Sequence, residues 1–170
     1  MDVAITRKSD GVVEFFHVGD SEADAVTRSG KDPVDYEGHD ATGLDPSLPY
    51  MWDGNNLVLD LTPYKVARVT RMSVSLKAYI YSKYDSETQS SLEALYSRAL
   101  NGGGKPNRAA HIAAAIDWLD SVLTSFYSKK STILAAADQA AVDAVTWDWP
   151  TDFDASDPAV TIESAMAITT

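Results

Sequence analysis

Two apolar rhythms divide the chain. Up to about residue 61, short β-prone runs alternate with turn signals; from Thr62 onward, apolar residues recur every three or four positions. Val3–Arg7 and Val12–Val18 predict two strands joined through Lys8-Ser9-Asp10-Gly11, where Asp-Gly marks a hairpin because glycine accepts the positive φ of such turns. Val12–Val18 is almost continuously apolar, so cover on both faces is expected. Tyr50–Leu59 predicts a second hairpin that turns at Asp53-Gly54-Asn55-Asn56. Together the two hairpins suggest a four-stranded miniature sheet, too small to stand without support. Between them, Gly19–Pro49 carries Gly30, Pro33, Gly38, Gly43, Pro46 and Pro49 among many acids. It reads as a long acidic loop, functional or ordered against a partner, with a helical turn or two at Ser21–Arg28.

The helical half has clear punctuation. Thr62 as N-cap and Pro63 at the first helical position open a helix whose stripe is Val66, Val69, Met72 or Ser73, Leu76 and Ile80. Ser86 and Gln89 form a capping-box pattern for a second helix with Leu92, Leu95, Tyr96, Ala99 and Leu100 on its apolar face. Asn101-Gly102-Gly103-Gly104 ends it. Asn107 is read as the cap of a third helix carrying Ile112, Ala115, Ile116, Leu119, Leu123 and Phe126. Trp118, Val122 and Tyr127 widen that face, and the helix runs on or kinks through Lys129-Lys130. Asp138–Val145 reads as a short fourth helix, Thr146–Pro150 as extended, and the tail from Thr151 as weakly structured, with one amphipathic turn at Val160–Met166. The fold class is therefore α+β: a small antiparallel β unit followed by a three- to four-helix bundle. The expected division is a β-rich module over residues 1–61, a helical module over 62–149 and an acidic arm over 150–170.

Composition sharpens this picture. The chain has 170 residues, no cysteine, 45% hydrophobic and 23% charged residues. That length can bury a workable core without covalent staples, and disulfides and thiolate metal sites are excluded. Net charge is −11, but unevenly placed. Met1–Asp60 holds 13 acids against 4 bases, Leu61–Ala137 holds 5 against 10, and Asp138–Thr170 holds 7 acids and no Lys or Arg. A basic middle between acidic ends can neutralise itself or pair with neighbouring molecules. Acidic ends and the lack of a reader motif argue against nucleic acid. No stretch approaches the roughly 18 to 20 apolar residues of a membrane span, and Met1-Asp2-Val3 leads into no basic-then-apolar secretory signal. The expectation is a protein kept in a cytoplasm or packed into something assembled there.

Candidate chemistry is sparse. His17, His39 and His111 lie far apart, with no paired-ligand spacing. Asn101–Pro106 follows a helix and meets a proline, whereas a phosphate-binding loop follows a strand and delivers Lys-Ser/Thr into a helix. Asp152, Asp154, Ser156 and Glu163 have the oxygen spacing of a calcium loop. However, Asp157 replaces the needed glycine and Pro158 follows, so a solvated acidic tail is the plainer reading. No hydrolase elbow or zinc-protease motif occurs. A carboxylate-based hydrolase or sugar-binding protein would need a deep cleft with converging acids. The expectation is no catalytic residue and no cofactor. The aromatic residues carry more information. Trp147 and Trp149 alternate, so on a strand they face one side, where they either close the helical core or anchor a partner. Candidate contact residues are Trp52, Trp147 and Trp149, with the basic residues Lys65, Arg68 and Arg71.

Three segments carry a likeness. Tyr50-Met51-Trp52-Asp53-Gly54, the stretch from Arg108-Ala109-Ala110-His111-Ile112 through Asp117-Trp118-Leu119 to Phe126-Tyr127-Ser128-Lys129-Lys130, and Val145-Thr146-Trp147-Asp148 resemble small bacteriophage tail and tail-fibre accessory proteins. The likeness spans residues 50–149 and omits the acidic loop and tail. It implies a non-enzymatic baseplate or fibre-attachment component in the virion tail, present in the host cytoplasm during assembly. Its implied partners are other tail proteins, in a homo- or hetero-oligomer, with no nucleic acid and no membrane. A transient tail-fibre assembly chaperone is the alternative.

Overall fold

The computed structural model describes residues 1–19, 21–147 and 160–170. The chain is mixed α and β, with a small antiparallel sheet at the N-terminus and helices after it, as the sequence leads one to expect. It divides into two compact units, Met1–Ala67 and Arg68–Thr170.

In the first unit, β1 (Asp2–Arg7) pairs antiparallel with β2 (Val13–Val18) and with β3 (Tyr36–Asp40), giving the order β2-β1-β3. The helix α1 (Glu22–Arg28) is capped by Ser21, whose side chain accepts the Asp24 N–H at 3.1 Å. β4 (Tyr50–Trp52) and β5 (Leu57–Leu59) form a separate two-stranded ribbon. The expected four-stranded sheet is thus replaced by three strands plus a ribbon. The extra strand, β3, lies inside the segment read as a loop. Its sequence, Tyr-Glu-Gly-His-Asp, has no apolar alternation to announce it, because it is held by its backbone ladder to β1.

As the central strand, β1 is buried from Val3 to Thr6. Val3 and Ile5 pack with Ala25 and Val26 of α1 and with Phe15 and Tyr36. Full burial of a valine or isoleucine, as at Val3 and Ile5, contributes about 1.5–3 kcal/mol. Gly38 is required on this face, since a Cβ there would lie 2.7 Å from the Glu22 carbonyl oxygen and 2.8 Å from a Val3 methyl. On the opposite face, Ala4 stands beside Phe16 and His39. The Phe16 ring meets Tyr50 edge-on at 6.0 Å, and His39 stacks on Trp52 at 3.6 Å. The ribbon therefore covers part of the second face of the sheet, at Phe16 and His39, while Val18 on the same face stays exposed.

Carboxylates tie the turns. Asp53 accepts the Asn55 and Asn56 N–H groups, Asp45 that of Ser47, and Asp40 that of Thr42. These bonds favour the ionised form and hold each carboxyl below its ordinary range; for Asp40 the Thr42 side chain contributes most. Glu14 is lowered chiefly by its bond to Lys31 at 2.8 Å. A depressed folded-state pKa means stability that is complete above the ordinary carboxylate range and lost as pH falls through the folded value. The melting temperature is therefore expected to stay flat near neutrality and fall below about pH 4. Substituting Asp53 by Asn should lower the plateau and weaken that acid dependence, as a series of thermal melts will show.

The second unit is helical. α2 (Leu61–Lys83) begins in the first unit and buries Met72, Leu76 and Ile80. Asp60 opens it, accepting the Thr62 N–H at 3.0 Å, so Thr62 is inside the helix and is not its cap. α3 (Ser86–Asn101) is capped by Asp85, which accepts the Thr88 N–H at 2.7 Å. Ser86 is accordingly the first helical residue, and Gln89 donates to the Tyr84 carbonyl instead of closing a box. α4 (Pro106–Ala135) continues unbroken through Lys129-Lys130, and its N-cap is Lys105, not Asn107. In each case the stronger acceptor, or a proline one residue earlier, moved the boundary by one or two residues. α5 (Gln139–Asp143) is capped by Asp138, and α6 (Ile162–Ala167) by a reciprocal Thr161–Ser164 box. α3 packs on α4, α5 packs on α4, and α6 packs on both α3 and α4.

The C-terminal segment adds to the core. Val160 and Ala165 are buried. Arg108, itself buried on α4, donates to the carbonyls of Ile168 and Met166 at 2.6 and 3.2 Å; Asn107 reaches Thr170, and His111 meets Ser164. The tail read as weakly structured from Thr151 is thus, over residues 160–170, a capped helix docked on α4, and it falls where the amphipathic turn at Val160–Met166 is expected. Arg108→Met should cost about 1.5–3 kcal/mol, the worth of charged hydrogen bonds. Deleting residues 160–170 should destabilise the helical unit at least as much, measured by urea unfolding. A deletion variant as stable as the full chain would mean the docking contributes nothing.

Candidate protein-interaction site

The helix α2 carries two faces of different character. Met72, Leu76 and Ile80, spaced by four, turn inward. The opposite face then presents Arg71, Val74, Lys77, Ala78 and Tyr81. Val74 is 66% exposed and Tyr81 46%. The Lys77 ammonium lies 5.4 Å from the centre of the Tyr81 ring, so cationic and apolar groups are interleaved on one surface.

Of the basic residues expected at a contact, only Arg71 is on this exposed face. Lys65 and Arg68 are half-buried. Arg68 sits over the Trp147 ring, 4.0 Å from its centre, and donates to the Val145 carbonyl at 3.4 Å. Lys129 donates to the Thr146 carbonyl at 2.9 Å. The segment leaving α5 is thereby strapped by Arg68 and Lys129, and Trp147 is half-buried within the unit. Trp52 is likewise half-buried against His39 in the first unit. Trp149 lies outside the described residues. Val74, Lys77 and Tyr81 were not singled out from sequence, although they lie opposite the Met72–Leu76–Ile80 stripe on a helical wheel.

The proposed carboxylate cluster is only partly described. Glu163 is exposed on α6, whereas Asp152, Asp154 and Ser156 lie outside the described residues. Among the described residues no three His, Asp or Glu side chains converge, and no helix is long and apolar enough to cross a membrane.

The clefts are modest. An apolar niche of about 40 Å³ between α3 and α4, lined by Leu92, Ala115, Ile116 and Leu119, is far below the 300–1,000 Å³ usual for ligand sites. A basic one of about 310 Å³ lies at the glycine turn, beside Arg98, Lys105 and Arg108, but the Arg108 guanidinium is already engaged by carbonyls. Two more flank β2, of about 570 and 380 Å³. None of these clefts is lined by more than one carboxylate, where hydrolysis of a glycoside would need two. No protein-family model, no curated protein and no solved structure matches the chain.

Proposed function

We propose that this protein is a non-enzymatic structural or adaptor component that works through protein–protein contacts, and that it belongs to a bacteriophage tail as a baseplate or fibre-attachment part. The observation that carries the contact reading is the outer face of α2, where exposed Val74 and Tyr81 stand among Arg71 and Lys77 on an otherwise acidic chain. Exposed tyrosine and arginine are favoured at interface centres, and cations beside apolar anchors suit an acidic partner surface. The helices of the second unit would act as a bundle that holds this face rigid. The assignment to the tail rests on the likeness of residues 50–149 described above.

Two measurements test the reading together. Light scattering at low and moderate salt should show association that weakens as salt rises, because exposed charge pairs are screened beyond about 8 Å at physiological ionic strength. Mass spectrometry of purified particles from the source should find the chain. Arg71→Glu with Lys77→Glu should abolish the association while leaving the thermal melt unchanged. A salt-indifferent monomer absent from particles would refute the tail component and leave the assembly chaperone.

A further inference from the structure

The sheet of the first unit has an open edge. Among the described residues β2 is laddered to β1 and to no other strand; just before it Val12 bridges Met51 of β4, so the edge is open only beyond that bridge. Met1 donates to the Gly19 carbonyl at 3.1 Å while the Gly19 N–H donates to the Met1 carbonyl at 3.2 Å, a doubly bonded pair. Antiparallel alternation then makes His17, opposite Val3, and Phe15, opposite Ile5, the residues bonded to β1. The N–H and C=O of Phe16 and Val18 point to the outer side. Natural sheets blunt such edges with lysine, proline or a bulge. Here the pairing with β1 is irregular before Phe15, at the Ile5/Thr6 step, and Phe15–Val18 holds neither lysine nor proline.

The space beside this edge is shaped. Two clefts, of about 570 and 380 Å³, share Phe16 and Pro46 and together run the length of β2. Val13, Phe16 and Val18 form one wall, and Leu44, Pro46 and Leu48 the other. Val18 is 68% exposed. Glu14 and His17 line this space as well. An unpaired strand edge beside a trough with apolar residues on both walls is the geometry of strand addition, in which an incoming backbone supplies the ladder and its alternate side chains fill the trough.

Charge selects the occupant. The first 60 residues hold 13 acids and 4 bases. All four bases are engaged: Arg7 and Lys31 with Glu14, Arg28 with Asp24, and Lys8 with the Pro33 carbonyl. Asp2 lines the trough, and Asp45 lies between Leu44 and Pro46. We infer that the outer edge of β2 binds an extended segment of another protein, apolar at alternate positions and flanked by Lys or Arg, as a fourth strand of the sheet. A second copy of this unit would bring like charge to the same edge, which disfavours self-pairing.

This site rests on the reading of the chain as a protein-contact component. Particle mass spectrometry tests that reading without touching this edge, so the two fail separately. The test is amide hydrogen exchange by NMR on the full chain, with the peptide Lys-Val-Thr-Val-Thr-Val-Lys as probe. In the free protein the Phe16 and Val18 amides should exchange much faster than those of Phe15 and His17. Added peptide should slow Phe16 and Val18 severalfold, whereas the same peptide with Glu for Lys, or N-methylated at alternate residues, should not. Val18→Pro removes an outward N–H and leaves the ladder to β1 intact, so it should lose the effect; the N-methylated peptide makes the same test without altering the fold. Failure of the basic peptide to slow these amides would overturn the proposal. So would slow exchange before peptide is added, whether it rises with protein concentration, showing a second copy on the edge, or is present in the dilute monomer.

Discussion

Replacing Trp118 with alanine is expected to lower stability by about 3–5 kcal/mol, the usual result of truncating a buried tryptophan. Its side chain is 1% exposed at the middle of α4, with the rings of Tyr79 and Tyr84 at 6.0 and 5.6 Å. Against a typical total of about 5–15 kcal/mol, that loss would leave the second unit close to unfolding at room temperature. Trp118→Phe should cost far less. The indole N–H has no hydrogen-bond partner among the described residues, so phenylalanine removes a buried donor that bonds nothing while keeping most of the apolar volume. Urea unfolding of the three proteins by circular dichroism gives the order directly. Equal losses for alanine and phenylalanine would mean that the N–H is satisfied after all.

Gly11→Ala should be the most damaging small substitution in the first unit. Gly11 has φ +70°, where an L-residue costs about 1–2 kcal/mol. A Cβ there would also run into the Trp52 carbonyl oxygen, which is backbone and cannot swing aside. The Trp52 N–H donates to the Gly11 carbonyl at 2.7 Å, and Val12 bridges Met51, so the clash falls where the ribbon is fastened to the β1–β2 hairpin. The expected outcome is a ribbon lifted from the sheet and a His39 ring no longer stacked on Trp52. Loss of the ring-current shift on the His39 protons will report it. Gly54→Ala is the matched control: its φ is +102°, but nothing lies within 4 Å of the added methyl. It should show the backbone strain alone and keep the His39 shift.

These two positions were unequally legible. Gly11 stands out in sequence as the second half of an Asp-Gly turn, yet nothing there says that Trp52 lies against it. Trp118 belongs to a helical apolar stripe and reads as core, which burial bears out. The candidate site was harder. Lys65, Arg68 and Arg71 are equivalent as a basic series, but a helix turns each by a different angle, and packing took Arg68 toward Trp147 while leaving Arg71 outside. Val74 and Tyr81 look like core residues by type and become surface only because Met72, Leu76 and Ile80 occupy the inward face.

By itself the sequence determined what depends on neighbours along the chain. The first hairpin, the second hairpin, the helical turns of α1 from Ser21 and the stop at Asn101–Gly104 all follow from turn chemistry, capping and periodicity within a few residues, whereas the sequence leaves open whether α4 continues through Lys129-Lys130. Tertiary structure alone decided what depends on partners distant in sequence. β3 exists because β1 offers a second edge to a segment with no strand pattern of its own. The ribbon stays apart from the sheet because Trp52 and Tyr50 meet His39 and Phe16 through their faces, not through a continuous ladder. The tail docks because Arg108, an ordinary basic residue in the sequence, is buried where the carbonyls of Met166 and Ile168 can reach it. Such contacts are invisible in one dimension, since the residues that make them are chosen by the fold's geometry and not by their neighbours.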